Sequence, residues 1–469
     1  LSTASSPRPR WQLGLLAALV PLALLFAVDL GLRAVSLVPP EHPLVFYARS
    51  HETHFSPFVA TGRGTLEIRP DWVAPRDGLH RRRSFGRRAG RQFLYPGFRP
   101  VEITEQRPEG ALRVVVLGGS TTFGLYVGAE AAFAARLEDG LRAGSGEREI
   151  EVINLGCPGW ATDRILNALD AVLALEPDLL LMYTGHNEML EGWVGSVPGL
   201  TPATRLRAAL LRASTLFAWL DYALSASLRR VEQEMSFEEM AAVRVGNIPT
   251  FDPRGVPEGE LEPPGPDFVR YTVERYAANV ARIIERARRA GVPLLFVLPV
   301  ANLLDPPTIS LHAPGFEAVD EFEAELGKAR EALGQGRLDA GLRALEQATA
   351  LSSGHAMAHY RYASALKRAG RTPEARIEYQ RALDLDVRTH RITSAHEAAV
   401  IEVLQALDAD WVDLRPLFHE DLDRERARRL FVDHLHPTEL GHERIAARLE
   451  PEAGRLLGLA PGAGEGRGQ

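Results

Sequence analysis

Cysteine is almost absent from this chain: Cys157 is the only one in 469 residues. A lone cysteine excludes an intramolecular disulfide and a Cys-rich zinc site, and leaves oxidising and reducing compartments both open. Lysine is nearly absent too, standing only at Lys328 and Lys367, so arginine carries almost all the positive charge. That charge is not in excess. Lys and Arg total 54 against 61 Asp and Glu, a formal net charge of -7, and no nucleic-acid partner is expected. The stretch Gly118-Gly-Ser-Thr-Thr lacks the lysine of a phosphate-binding loop, which argues against nucleotide binding. His434, His436 and His442 lack the accompanying carboxylate pattern of a known metal geometry, so no metal or other cofactor is expected.

What remains is ordinary globular composition, 45% hydrophobic and 25% charged, in a chain long enough for two or three domains. Arg8 and Arg10 precede a charge-free run from Leu13 to Val28, which Asp29 interrupts before Leu30 to Arg33. With its tail this run approaches the length of a spanning helix, and the arginines ahead of it favour a cytoplasmic residue 1–12 segment. Residues 13–33 are therefore expected as an uncleaved, single-pass inner-membrane anchor, with everything beyond them outside the cytoplasm. Residues 34–110 are rich in proline and arginine and read as a linker region with short strand-like pieces near Thr65. Residues 458–469 are Gly-rich and read as a disordered tail.

From Arg113 onward, short apolar runs alternate with amphipathic stretches. Strands are expected over 113–117, 150–155, 178–183, 293–298 and 410–414. Helices are expected over 129–143, 163–175, 268–290 and 394–407. Such alternation specifies a parallel sheet covered on both faces, and a five-stranded flavodoxin-like order is the simplest solution. The α/β domain spans residues 111–457 with two insertions. Residues 191–267 form a helical insertion, including Phe217 and Trp219, placed where a lid would roof a site. Residues 315–388 carry a repeat: Gly336 and Gly370, Leu345 and Tyr379, and Ala348 and Ala382 are each 34 residues apart. That period resembles the tetratricopeptide repeat, and a protein partner at this unit and a hairpin that only packs are both open readings.

Chemistry-bearing residues fall at the carboxyl ends of the expected strands, where open α/β sheets bind ligands. The first strand runs into Gly118-Gly-Ser120, the second into Asn154-Leu-Gly156, the third into Gly185-His-Asn187-Glu188, and the fifth is followed by Asp433-His-Leu-His436. A serine hydroxyl needs an imidazole to remove its proton, and the imidazole needs a carboxylate to fix its tautomer. Ser120, His436 and Asp433 suit these roles. His436 is preferred to His434 by its spacing from Asp433 and by Pro437 after it. Cys157 reads as a small buried residue and not as a thiol nucleophile. The backbone N–H groups of Ser120 and Gly156 and the Asn187 amide are candidate donors to an oxyanion.

These four blocks, Gly118-Gly-Ser120, Gly156, Gly185-His-Asn187 and Asp433-x-x-His436, resemble those of the SGNH (GDSL-type) hydrolase superfamily. The whole arrangement is similar to membrane-anchored bacterial members with inserted tetratricopeptide repeats. The resemblance implies a three-layer α/β/α fold and a serine esterase with Ser120 as nucleophile, His436 as base and Asp433 as its orienting acid. Ser120, Gly156 and Asn187 would form the oxyanion hole. Gly119 stands where the common motif has Asp, and Glu188 where Asp follows Asn. Gly119, His186, Glu188 and Asn302 are expected to shape the substrate pocket. The implied substrate is an acyl ester, acetyl included, on a glycan or lipid. An O-acyltransferase acting on an extracytoplasmic polysaccharide with the same triad, and a non-catalytic repeat-bearing scaffold, are the alternatives.

Overall fold

The computed structural model describes residues 10–35, 56–68, 98–146, 148–189, 206, 210, 213–220, 264–387, 389, 391–420 and 422–459. The chain divides into two compact units, one made of Leu1–Arg49 with Leu200–Met235, the other of Ser50–Gly199 with Ser236–Gln469.

In the first unit, α1 (Arg10–Ala34) contains Pro21. Asp29 is buried and accepts hydrogen bonds from Ser214 Oγ at 3.0 Å and Leu216 N at 2.7 Å. Ser214 Oγ also accepts from Phe217 N at 3.0 Å, so a short helical turn begins here on a shared polar cap. Among the described residues no helix is long and apolar enough to cross a membrane. The anchor expected over 13–33 falls on α1. Asp29 holds a local polar contact in the same unit. The expected helical insertion 191–267 is described only in part. Its 200–235 part belongs to this unit and not to the α/β domain, and most of the expected lid lies outside the described residues.

The second unit is built on a parallel sheet of β4 (Leu112–Gly118), β5 (Ile150–Gly156), β6 (Leu179–Tyr183), β7 (Leu294–Leu298) and β8 (Asp410–Asp413). Their spatial order is β5-β4-β6-β7-β8, every pairing parallel. This is the flavodoxin-like order expected from the alternation. All residues of β4, β6 and β7 are buried, as apolar runs without alternation require in a sheet covered on both faces. One face packs against α3 (Phe133–Gly144) and α13 (Glu439–Leu456), through Phe133, Leu137, Leu141, Ile445 and Leu449. The other is covered by α4 (Thr162–Leu173), α5 (Pro266–Arg289) and α10 (Ser394–Ala406). Between β4 and α3 lies the four-residue α2 (Ser120–Phe123), too short for any sequence periodicity to reveal.

Within the expected linker, β1 (Phe58–Ala60), β2 (Thr65–Ile68) and β3 (Glu102–Thr104) form a small antiparallel sheet. It is tied to β4 by Arg113, whose guanidinium donates to the Thr104 and Leu175 carbonyls and pairs with Glu151. Residues 69–97 of the expected linker and residues 460–469 of the tail lie outside the described residues.

The second insertion folds as two helical hairpins, α6 (Val319–Gly334) with α7 (Leu338–Leu351) and α8 (Ala356–Arg368) with α9 (Thr372–Asp384). Gly336 and Gly370 take φ of +75° and +78° at the two turns. Phe322, Leu326, Leu342, Leu345, Leu366 and Tyr379 share one core. Short α11 (Arg415–His419) and α12 (Arg424–Leu430) complete the domain before α13.

Candidate active site

The parallel register puts Gly118 beside Gly156 on one side and Tyr183 on the other, so the three strand ends are level. Ser120, first residue of α2, stands directly above β4, where a helix leaves its backbone N–H unsatisfied. The segment 431–437 closes over it. Val432 N donates to His436 O at 2.8 Å, and Asn302 N to His434 O at 2.9 Å. Thr438 then caps α13 by accepting from Gly441 N at 3.2 Å.

This folding brings Ser120, Asp433 and His436 together across 316 positions. His436 Nε2 lies 2.8 Å from Ser120 Oγ. Its Nδ1 lies 2.8 and 3.0 Å from the two Asp433 oxygens. A carboxylate only accepts, so Nδ1 carries the proton and Nε2 presents its lone pair to the Ser120 hydroxyl. Asp433 Oδ1 also accepts from Leu435 N at 2.9 Å and His436 N at 2.8 Å. Burial works to raise the Asp433 carboxyl, but His436, its hydrogen bond, His434 and the Leu435 N–H outweigh burial and hold it well below the usual carboxylate range. Asp433 therefore stays ionised. His434 approaches Asp433 only to 3.9 Å, and it is His436 that reaches Ser120.

Asn187 donates one amide proton to Trp160 O at 2.8 Å and has a second to offer. Gly119 is the reason it fits there. A Cβ on Gly119 would lie 2.6 Å from Asn187 Nδ2 and 3.2 Å from Trp160 O. Gly156 corrects the sequence expectation. Its N–H donates to Asn154 Oδ1 at 2.9 Å, so it does not face an oxyanion. Its missing side chain serves packing, because a Cβ would collide with the Thr122–Phe123 backbone. Asn154 completes the tie by donating to Thr122 O at 2.9 Å. Three residues on, Gly159 takes φ +78° in the turn that carries Trp160, and its N–H has no acceptor among the described residues. Cys157 N donates to Gly118 O at 3.0 Å and holds that turn against the nucleophile strand. The Cys157 thiol is buried and pushed well up by burial, which disarms it.

Three further residues expected in the pocket brace it instead. Glu188 is fully buried, its oxygens accepting from Thr162 N and Thr162 Oγ1 at 3.0 Å each, at the N-terminus of α4. Burial raises its carboxyl to about 8, with Asp163 adding to the rise and Thr162 and Arg275 opposing it. His186 is buried, its Nδ1 accepting from Ile392 N at 3.2 Å. Burial first, then His436, His434 and Arg391, lower its pKa to about 3, so it is neutral. Asn302 spends its amide on Asp433 O at 3.3 Å and accepts from Leu304 N at 3.1 Å, pinning the loop of the acid.

Sequence reading missed three neighbours. Phe98 packs edge-on against Trp160, ring centroids 4.9 Å apart. Arg99 is buried and donates to the carbonyls of Phe123, Gly124 and Val127 at 2.6, 2.9 and 2.9 Å. Tyr126, with φ +75°, sets its ring 5.2 Å from the His436 ring at 86°. Nothing periodic marks any of them, and left-handed backbone at a non-glycine residue leaves no sequence signal.

A hydroxyl in line with an imidazole and a half-buried carboxylate, beside an amide and a helix-start N–H, can carry out acyl transfer. The profile of the GDSL-like Lipase/Acylhydrolase family matches residues 116–363, and a tetratricopeptide repeat profile matches residues 332–397. No curated protein sequence matches the chain. Similar solved structures include an acetyl xylan esterase, AlAXEase, at 11% identity and TM-score 0.32, covering 72% of this chain and 98% of the other. A catalytic mutant of the acetylxylan esterase Axe2 from Geobacillus stearothermophilus matches at 12% identity and TM-score 0.32, over 76% and 98%. The psychrotrophic esterase EstA from Pseudoalteromonas sp. matches at 11% identity and TM-score 0.32, over 74% and 98%. The family profile spans more than half of the chain, and the protein belongs to the GDSL-like lipase/acylhydrolases, serine hydrolases of the SGNH type, with tetratricopeptide repeats inserted.

Proposed function

We propose that the protein is a serine esterase that removes an O-acyl group, acetyl in the first instance, from a glycan or lipid through an acyl-Ser120 intermediate. The observation that carries this reading is the 2.8 Å approach of His436 Nε2 to Ser120 Oγ, with Asp433 on the opposite ring nitrogen. His436 takes the hydroxyl proton as Ser120 Oγ attacks the ester carbonyl. The Ser120 N–H, the second Asn187 amide proton and the Gly159 N–H stabilise the oxyanion. His436 returns the proton to the leaving alkoxide. Water, activated by the same imidazole, then releases the acid and restores Ser120.

Attachment to a membrane through α1, with the catalytic domain outside the cytoplasm, belongs to the same proposal. Its support is the exposure of Leu19, Leu24, Leu25, Phe26, Val28 and Leu30 on that helix. Recovery of the full chain in a soluble fraction without detergent would contradict it. The repeat unit is proposed to bind a protein partner, on the strength of its repeat match.

The test is covalent labelling of the full chain with a fluorophosphonate, followed by peptide mapping. The adduct is expected on Ser120, and an adduct elsewhere would sink the assignment. Mass analysis of products formed with an acetylated oligosaccharide, with and without a free sugar acceptor, separates hydrolysis from acyl transfer. Released acetate supports the esterase; an acetylated acceptor supports the transferase.

A further inference from the structure

We propose that Tyr126 is a positioning residue for His436, and that Arg99, from the segment before β3, holds the loop that presents it. The inference rests on His436 acting as the base. Tyr126 stands at φ +75°, a conformation a bulky residue avoids and a glycine adopts freely. Tyrosine brings a ring that glycine lacks, and that ring meets the imidazole of His436 in a T-shaped contact at 5.2 Å. Such a contact favours one ring orientation.

The loop does not hold this conformation unaided. Arg99 reaches across to accept none and donate three times, to the carbonyls of Phe123, Gly124 and Val127, the residues on either side of Tyr126. Its guanidinium also lies 4.5 Å over the Phe123 ring. Burial lowers the Arg99 pKa and Glu130 opposes the change; the group keeps its charge and five donors in a fixed fork, a geometry lysine lacks. Asp433 fixes the imidazole from one side through Nδ1, and the Tyr126 ring limits its rotation through the T-shaped contact. The segment carrying Arg99 thereby becomes part of what keeps the site in register, although it lies outside the sheet.

The experiment compares full-chain wild type, Tyr126→Gly, Tyr126→Phe, Arg99→Lys and the Arg99→Lys/Tyr126→Gly double variant on p-nitrophenyl acetate. Tyr126→Gly is expected to lower kcat by about tenfold to a hundredfold with KM unchanged, the cost of a displaced catalytic group. Tyr126→Phe restores it. Glycine relieves the left-handed backbone, so the loss is not one of folding. Arg99→Lys lowers kcat in the wild-type background and adds little in the Tyr126→Gly background, because both act through one contact. A second readout needs no turnover: the His436 Nδ1–H proton resonance is sharp and downfield in wild type and broadens in Tyr126→Gly and Arg99→Lys. Wild-type kcat in Tyr126→Gly, equal losses from Arg99→Lys in both backgrounds, or an unchanged resonance would overturn the proposal. Turnover that survives Ser120→Ala defeats the esterase reading instead, and the resonance still reads the imidazole.

Discussion

The carboxamide of Asn187 occupies the space that a side chain on Gly119 would need, with Nδ2 2.6 Å from where the Cβ would stand. The same amide is anchored on Trp160 O at 2.8 Å, so it has nowhere to retreat. The departure from the common motif at Gly119 is therefore matched by the seating of the Asn187 amide after the next strand but one in sequence.

Gly119→Ala is expected to push the Asn187 amide off its anchor and to lower kcat about 100-fold, as loss of one oxyanion donor does. Gly119→Asp, despite restoring the motif residue, should be at least as damaging. Steady-state kinetics with thermal melts for both variants checks this. Unchanged kcat in Gly119→Ala would contradict the packing.

Asn154 ties β5 to α2 through Thr122 O and the Gly156 N–H. Asn154→Leu leaves both groups unsatisfied, and a loss of about 1–3 kcal/mol in unfolding free energy is expected for each group left buried without a partner. Urea denaturation measures it. A variant as stable as wild type would show that Gly156 N–H is not committed to Asn154.

Four buried histidines are neutral in the fold. Burial is the leading cause in each, lowering His186 and His442 to about 3 and His396 and His419 to about 4. A base with a depressed folded pKa gives stability that is complete above its unfolded pKa, about 6.5. That stability is lost as pH falls toward the folded value. Unfolding free energy should therefore decline from about pH 6.5 downward, by roughly 1.4 kcal/mol per pH unit for each histidine in the middle of the window. Urea midpoints between pH 7 and pH 4 test the slope, and a flat profile would contradict it.

Glu188 predicts the opposite trend. Its carboxyl, raised by burial to about 8, contributes stability below the unfolded pKa near 4.3, and that contribution falls away as pH rises through 8. Glu188→Gln keeps an acceptor for Thr162 N and removes the titration. The wild type should lose stability relative to Glu188→Gln between pH 5 and pH 8, and parallel profiles would show that Glu188 is not protonated in the fold.

The strands, the sheet order and the convergence of Ser120, Asn187, Asp433 and His436 were legible because they depend on apolar runs and strand ends. Gly156 was misread because the direction of its N–H is decided by the Asn154 side chain, which spacing does not encode. His186, Glu188 and Asn302 were misread because a polar residue in a site loop looks the same in sequence whether it lines the pocket or braces it. Here burial and partners at Ile392, Thr162 and Asp433 make them braces. Arg99 and Tyr126 were invisible, since one acts through backbone carbonyls and the other through a left-handed turn.

Hydrolysis of p-nitrophenyl acetate by the full chain, with Ser120→Ala and His436→Ala alongside, tests the central claim most directly. Loss of a nucleophile or its base removes the acyl-enzyme route, so both variants should fall to the rate given by water and binding alone, at least about 1,000-fold below wild type. Equal rates in wild type and Ser120→Ala would contradict the account.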